Sequence, residues 1–143
     1  MPKPKEGTTR DGKLMHFSAG ALIERGGKYL LIDRAIPPFG FAGVAGHVDE
    51  GENERQAALR EIEEEVGLEA ADLKLLFEEE LDWNWCSKGV TSHYWYLFEC
   101  RVDGDLKRSE EETKSAGWYS KKDIKTLKLE PVWEYWFKKL NII

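Results

Sequence analysis

The chain has 143 residues, 41% hydrophobic and 12% aromatic, enough for the core of one domain, which excludes a disordered or purely solvating polypeptide. Its 21 basic and 27 acidic residues leave a net charge of −6, the wrong sign for a protein that coats a nucleic-acid polymer. No apolar run approaches the roughly 20 residues that span a bilayer, and the charged start MPKPKEGTTRDGK has no apolar stretch behind it, so a soluble cytoplasmic domain without a membrane partner is expected.

Residues 1–13, rich in Pro, Lys, Gly and Thr, are expected to be a flexible tail ahead of a single domain over 14–143. Leu14 to Glu24 is compatible with a strand, Gly26-Gly27 supplies a hairpin turn, and Lys28 to Arg34 returns as a second strand. Pro37-Pro38 breaks regular structure, and the Gly-rich stretch FGFAGVAGHVDEGE follows, its glycines suited to a tight backbone path around something. A helix is predicted from about Asn53 to Val66, capped by Asn53 or Glu52 and stopped by Gly67. Leu73 to Trp83 and Thr91 to Val102 read as strands with apolar or aromatic residues on both faces, as in a sheet covered on each side. Asp103-Gly104-Asp105 makes a turn, and Gly117-Trp118-Tyr119 a short strand. Ser120 with Asp123 opens a helix over Lys121–Leu127, and Pro131 opens the last helix, VWEYWFKKL. This order predicts an α+β fold, a mixed α/β/α sandwich.

The first helix carries the chemistry. At 100° per residue Glu61, Glu64 and Glu65 share an arc of about 100°, with Leu59, Ile62 and Val66 forming the expected buried stripe beside it. Glu61 and Glu65 are like charges four residues apart, a repulsion of about 0.2–0.5 kcal/mol in an isolated helix. Arg60 offsets part of it by pairing with Glu64, and a cation would remove more. Converging carboxylates beside a Gly-rich backbone are hard oxygen ligands suited to Mg²⁺ or Mn²⁺. Taken alone, an acidic helix is also what a solvated surface provides.

The wider spacing decides between them. Gly46, Glu52, Arg60, Glu61, Ile62, Glu64, Glu65, Gly67 and Leu68 fill every specified position of a pattern that resembles the signature box of the Nudix hydrolase family. The resemblance implies a Nudix fold, a mixed sheet between helices, in an enzyme that cleaves a nucleoside diphosphate linked to another group. It implies Glu61, Glu64, Glu65 and Gly46 at the metal, Glu52 as support, Arg60 orienting the glutamates by ion pairing, and Gly67 ending the helix. An acidic protein and an anionic polyphosphate repel one another. Divalent ions would reverse the local sign, bridge the phosphates and lower the pKa of a bound water for attack on phosphorus.

The family often takes a general base from a loop outside the box. Glu110, Glu111 and Glu112 are the candidates, with Glu112 favoured; a solvated acidic loop is the alternative. The other acidic run, Glu78-Glu79-Glu80, ranks lower because strand alternation splits it between two faces. His47 either touches substrate or packs as an ordinary histidine; His16 and His93 read as structural, and Cys86 and Cys100 as ordinary thiols without metal or redox spacing. Trp83 and Trp85 are the preferred aromatic contacts for a base, and Arg34 or Lys28 for phosphate oxygens. The expected substrate is a small-molecule nucleotide, with a nucleoside triphosphate giving monophosphate and pyrophosphate as the leading choice. A non-catalytic nucleotide-binding module, an isomerase-type relative and hydrolases of ADP-ribose or dinucleoside polyphosphates are the alternatives. The proline and tyrosine that resemble the last two types are missing from Leu81-Asp82-Trp83-Asn84-Trp85. A homodimer is left open.

Overall fold

A computed structural model describes residues 3–86 and 88–143. In chain order these form β1 (Glu6–Thr8), β2 (Leu14–Arg25), β3 (Lys28–Arg34), β4 (Phe41–Ala42), β5 (Val44–His47), α1 (Glu54–Val66), β6 (Glu69–Leu81), β7 (His93–Asp103), β8 (Thr113–Ser120), α2 (Lys121–Ile124) and α3 (Pro131–Lys139). The mixed sheet and its few helices are the α+β architecture expected from the sequence.

Strand β2 organises the sheet. Along one edge it pairs antiparallel with β1 and then with β5; along the other it runs parallel to β7, with His16 opposite His93 and Ile23 opposite Cys100. β7 continues into an antiparallel pair with β6. Beyond the Gly26-Gly27 turn, β3 carries β4 and β8 as antiparallel partners.

Adjacent residues of β2 point to opposite layers, as a two-residue period requires. Ala19 packs with Ala57 and Ala58 of α1, together with Val48 and Phe98. Gly20 lies under Trp95 and Trp133, and a Cβ there would meet the Trp95 ring at 2.7 Å. Trp133 and Trp136 of α3 are fully buried and meet Trp95 edge-on at 6.2 and 5.8 Å between centroids. Both faces of the sheet are therefore closed, which fixes its register strongly.

Three sequence expectations change. The segment expected to fray is partly stitched down: Glu6–Thr8 pairs with β2, the Lys5 amide donates to the Val48 carbonyl at 2.8 Å, and the Glu50 amide donates to Lys3 at 2.8 Å. An open edge of β2 offers ladder partners that no local composition reveals. Leu59 is 42% exposed, while the buried side of α1 is Ala57, Ala58, Ile62 and Val66 together with Glu61 and Glu65. The helix is thus rotated so that two acids face inward. The second helix ends at Ile124 rather than Leu127, the chain continuing in turns. Among the described residues no helix is long and apolar enough to cross a membrane.

Candidate active site

The helix that carries the acids is anchored at both ends. The Asn53 side chain accepts from the Gln56 amide at 2.8 Å, and the Gln56 side chain accepts from the Asn53 amide at 2.9 Å, a capping box worth about 1 kcal/mol. At the other end Gly67 takes the left-handed conformation at φ 68° and donates to Glu63. The terminal carbonyls of Glu65 and Val66 would otherwise lack partners. They accept from the amides of Ser109 at 2.7 Å and Lys107 at 2.8 Å. Those two bonds bring the 109–113 turn against the helix and place Glu112 in the cleft, while Glu110 and Glu111 remain exposed.

Arg60 ties the preceding loop to the helix. Its guanidinium donates to both Glu52 carboxylate oxygens at 2.8 and 3.0 Å, to Glu61 at 2.7 Å, to Glu64 at 3.2 Å and to the His47 carbonyl at 2.9 Å. Asp49 lies at 3.2 Å from the same group. This multidentate arrangement uses the planar fork of arginine and could not be copied by lysine. It holds Glu52 below the ordinary carboxylate range.

Glu61, Glu65 and Glu112 each offer an oxygen to one group in which all such atoms lie within 4.8 Å of one another. Glu61 and Glu65 are 8% and 4% exposed, and one Glu65 oxygen, Oε2, has no hydrogen-bond partner. Burial is the main cause that raises the proton affinity of all three; Glu61 adds to it at Glu65, and Glu64 adds to it at Glu112. Arg60 opposes the rise at Glu61, and Arg34 opposes it at Glu65 and Glu112. A buried carboxylate pair with an orphaned oxygen is costly unless protonated or compensated by positive charge. Hard oxygen donors gathered in this way fit a divalent cation such as magnesium. Gly46 of β5 is where the backbone comes closest: a Cβ there would overlap the Glu61 carboxyl, so a larger residue would displace that acid. Glu64, by contrast, is exposed at the rim and pairs with Arg60.

The group opens into a cleft of about 290 Å³. Of the substrate contacts expected from the sequence, Arg34, His47 and Trp85 line it. Arg34 is held by Nε donating to the carbonyls of Pro38 at 2.8 Å and Ile36 at 3.2 Å. Trp83 stands apart, 44% exposed and edge-on to Tyr135 at 5.5 Å. Lys28 pairs along β3 with Ser120 and does not reach the cleft lining. Glu79 is taken up by the Tyr135 hydroxyl at 2.6 Å and Lys139 at 2.7 Å. Sequence reasoning missed His93, Asn84, Lys88 and Glu130, which also line the cleft. Their positions in the sequence carry no periodic or spacing signal, because tertiary pairing alone brings them together. Burial holds His47 and His93 neutral, down to about 3 and about 4 respectively.

The acids thus stand on a loop–helix unit that faces the cleft. Residues 14–140 match the description "NUDIX domain", and the chain belongs to the Nudix hydrolase family. A relative from Rhodococcus erythropolis, named an uncharacterized Nudix hydrolase, is 29% identical over 136 residues, covering 87% of this chain and 73% of that protein. The asymmetrical bis(5'-nucleosyl)-tetraphosphatase of Mus musculus is 46% identical over 68 residues, and the match spans only 46% of each chain. Among solved structures, a MutT NUDIX hydrolase from Burkholderia pseudomallei superposes with a TM-score of 0.67 at 26% identity, covering 76% of this chain and 85% of its own.

Proposed function

We propose that the protein hydrolyses a diphosphate linkage in a nucleoside diphosphate joined to a further group, with nucleoside triphosphates as the leading substrate class. Water adds across one P–O–P bridge, giving nucleoside monophosphate and pyrophosphate. The observation that carries this reading is the buried Glu61–Glu65 pair with its orphaned oxygen, facing the cleft on a Nudix loop–helix unit. Glu61 and Glu65 would hold a magnesium or manganese ion, with the Gly46 backbone beside them and Glu64 available at the rim. A divalent ion bound there supplies positive charge against the developing negative charge of the phosphates.

The chain's own groups take the remaining parts. Arg60 positions the loop and the acids. Glu112, whose burial and acidic neighbours raise its proton affinity, accepts the proton of the attacking water. Arg34 meets phosphate oxygens, and Trp85 offers a face on which a base stacks. His47 bounds the other wall.

The experiment is a panel of nucleoside triphosphates, ADP-ribose and dinucleoside tetraphosphate, incubated with Mg²⁺ in ¹⁸O-labelled water and resolved by mass spectrometry. Metal-dependent monophosphate and pyrophosphate, with one labelled oxygen in one of the two products, is the expected result. A second reading, preference for the dinucleoside tetraphosphate, is favoured by the likeness to the mouse tetraphosphatase; it would show as turnover of that compound above all others. Wild type and Glu65→Gln equally inert on every compound would instead indicate a binding module.

A further inference from the structure

The cleft has a second group of potential ligands, unlike the carboxylates in chemistry and drawn from four separate parts of the chain. In the register of β2, His16 stands opposite His93 and Ser18 stands opposite His47. His16 and Ser18 lie two residues apart and so share a face, which puts all three imidazoles on one side of the sheet. Their ring centroids are 5.0, 5.5 and 5.9 Å apart. The loop after β6 adds Cys86, with Sγ at 4.0 Å from His16 Nδ1. One ligand atom from each of the four lies within 4.8 Å of all the others.

The geometry points to a transition-metal site here: His16, His47, His93 and Cys86 bind a zinc ion. The Nε2 atoms of His47 and His93 are 3.4 Å apart. That matches the edge of a tetrahedron, about 3.3 Å, whose nitrogen ligands sit about 2.05 Å from the ion. The longer edges close by rotation of the side chains. The supporting contacts are also of the kind that orient metal-bound histidines. His93 Nδ1 meets the Asn84 carbonyl at 2.5 Å, an acceptor only, so Nδ1 carries the proton and the Nε2 lone pair is left facing His47. Asn84 is itself fixed by Trp95 Nε1 donating to its side chain at 2.6 Å. His16 Nε2 lies 3.9 Å from the Glu6 carboxylate, leaving Nδ1 toward Cys86. The strand that supplies Glu6 is the one expected to fray. His16 and His93 are buried, while His47 and Cys86 are half-buried and line the cleft, giving an ion a way in. Three imidazoles and a thiolate select a borderline-soft ion, whereas the neighbouring carboxylates select a hard one. Coordination releases the thiol proton of Cys86 to solvent.

The test titrates metal-stripped protein with CoCl₂ in excess MgCl₂, then with ZnSO₄. One cobalt per chain is expected, with the strong visible bands of a tetrahedral ion and a thiolate-to-cobalt charge-transfer band, all bleached by one equivalent of zinc. Cys86→Ser should abolish the charge-transfer band, His47→Gln should weaken cobalt binding roughly tenfold or more, and Cys100→Ser and Glu65→Gln should leave the spectrum intact. The Glu65→Gln arm separates this site from the carboxylate site. X-ray absorption at the zinc edge of the wild type, which needs no variant, should give one sulfur and three imidazole nitrogens. Only a weak six-coordinate cobalt spectrum, or none, or a zinc edge with oxygen ligands alone, would overturn the proposal and leave a hydrogen-bonded histidine cluster.

Discussion

Glu65 is the residue on which the carboxylate site turns. Burial and the adjacent Glu61 raise its pKa well above the ordinary 4.5. Between 4.5 and that higher value the folded chain keeps a proton that the unfolded chain has released, so this group's favourable contribution is complete below 4.5 and falls as pH rises. His47 and His93 act in the opposite sense: their folded values of about 3 and about 4 lie below the ordinary 6.5, so their contribution is complete above 6.5 and is lost on acidification. The difference between wild type and Glu65→Gln isolates the acid. In chelator, thermal denaturation should show Glu65→Gln melting above wild type at pH 8, with the gap closing toward pH 4.5, the carboxyl's ordinary value. Added Mg²⁺ should raise the wild type and not the variant. Arg60 belongs to the same scale. Its bonds to Glu52, Glu61 and the His47 carbonyl hold acids in place, so Arg60→Gln should cost roughly 10–100-fold in metal-dependent turnover with the fold retained, as measured by kinetics and circular dichroism.

At the scale of elements, α1 carries a local cap at each end, the Asn53–Gln56 box and Gly67, to which Ser109 and Lys107 add tertiary bonds at the last carbonyls. Asn53→Ala removes the N-cap and should lower unfolding free energy by about 1 kcal/mol in denaturant titration, without changing the denaturant slope. The start, the stop and the acids of this helix were legible in the sequence, since capping, the Gly67 terminator and the box spacing are local. Its rotation was not: Leu59 looks like core and Glu65 like surface until β5 and the 109–113 turn pack against the helix. The same limit applies to β1, whose residues have no local strand signal and pair only because β2 leaves an edge open. Glu112 could be shortlisted from its acidic run, but the Ser109 amide on the Glu65 carbonyl is what places it. The histidine cluster had no signal at all, because parallel pairing of β2 with β7 joins residues 16 and 93 across most of the chain.

For the whole molecule, an acidic chain of net charge −6 has little means of attracting a polyphosphate without added cations. Turnover should therefore vanish in chelator and return with Mg²⁺, and Glu64→Gln or Glu65→Gln should lower kcat by roughly 10²-fold or more. The carboxylate group and three of the four His/Cys groups, sets of different softness, line one cleft. The most direct measurement is an anomalous difference map from crystals soaked in Mn²⁺. The account predicts a manganese peak within coordinating distance of both the Glu61 and Glu65 carboxylates. No peak there, with the Glu65 oxygen still unpartnered, would contradict it.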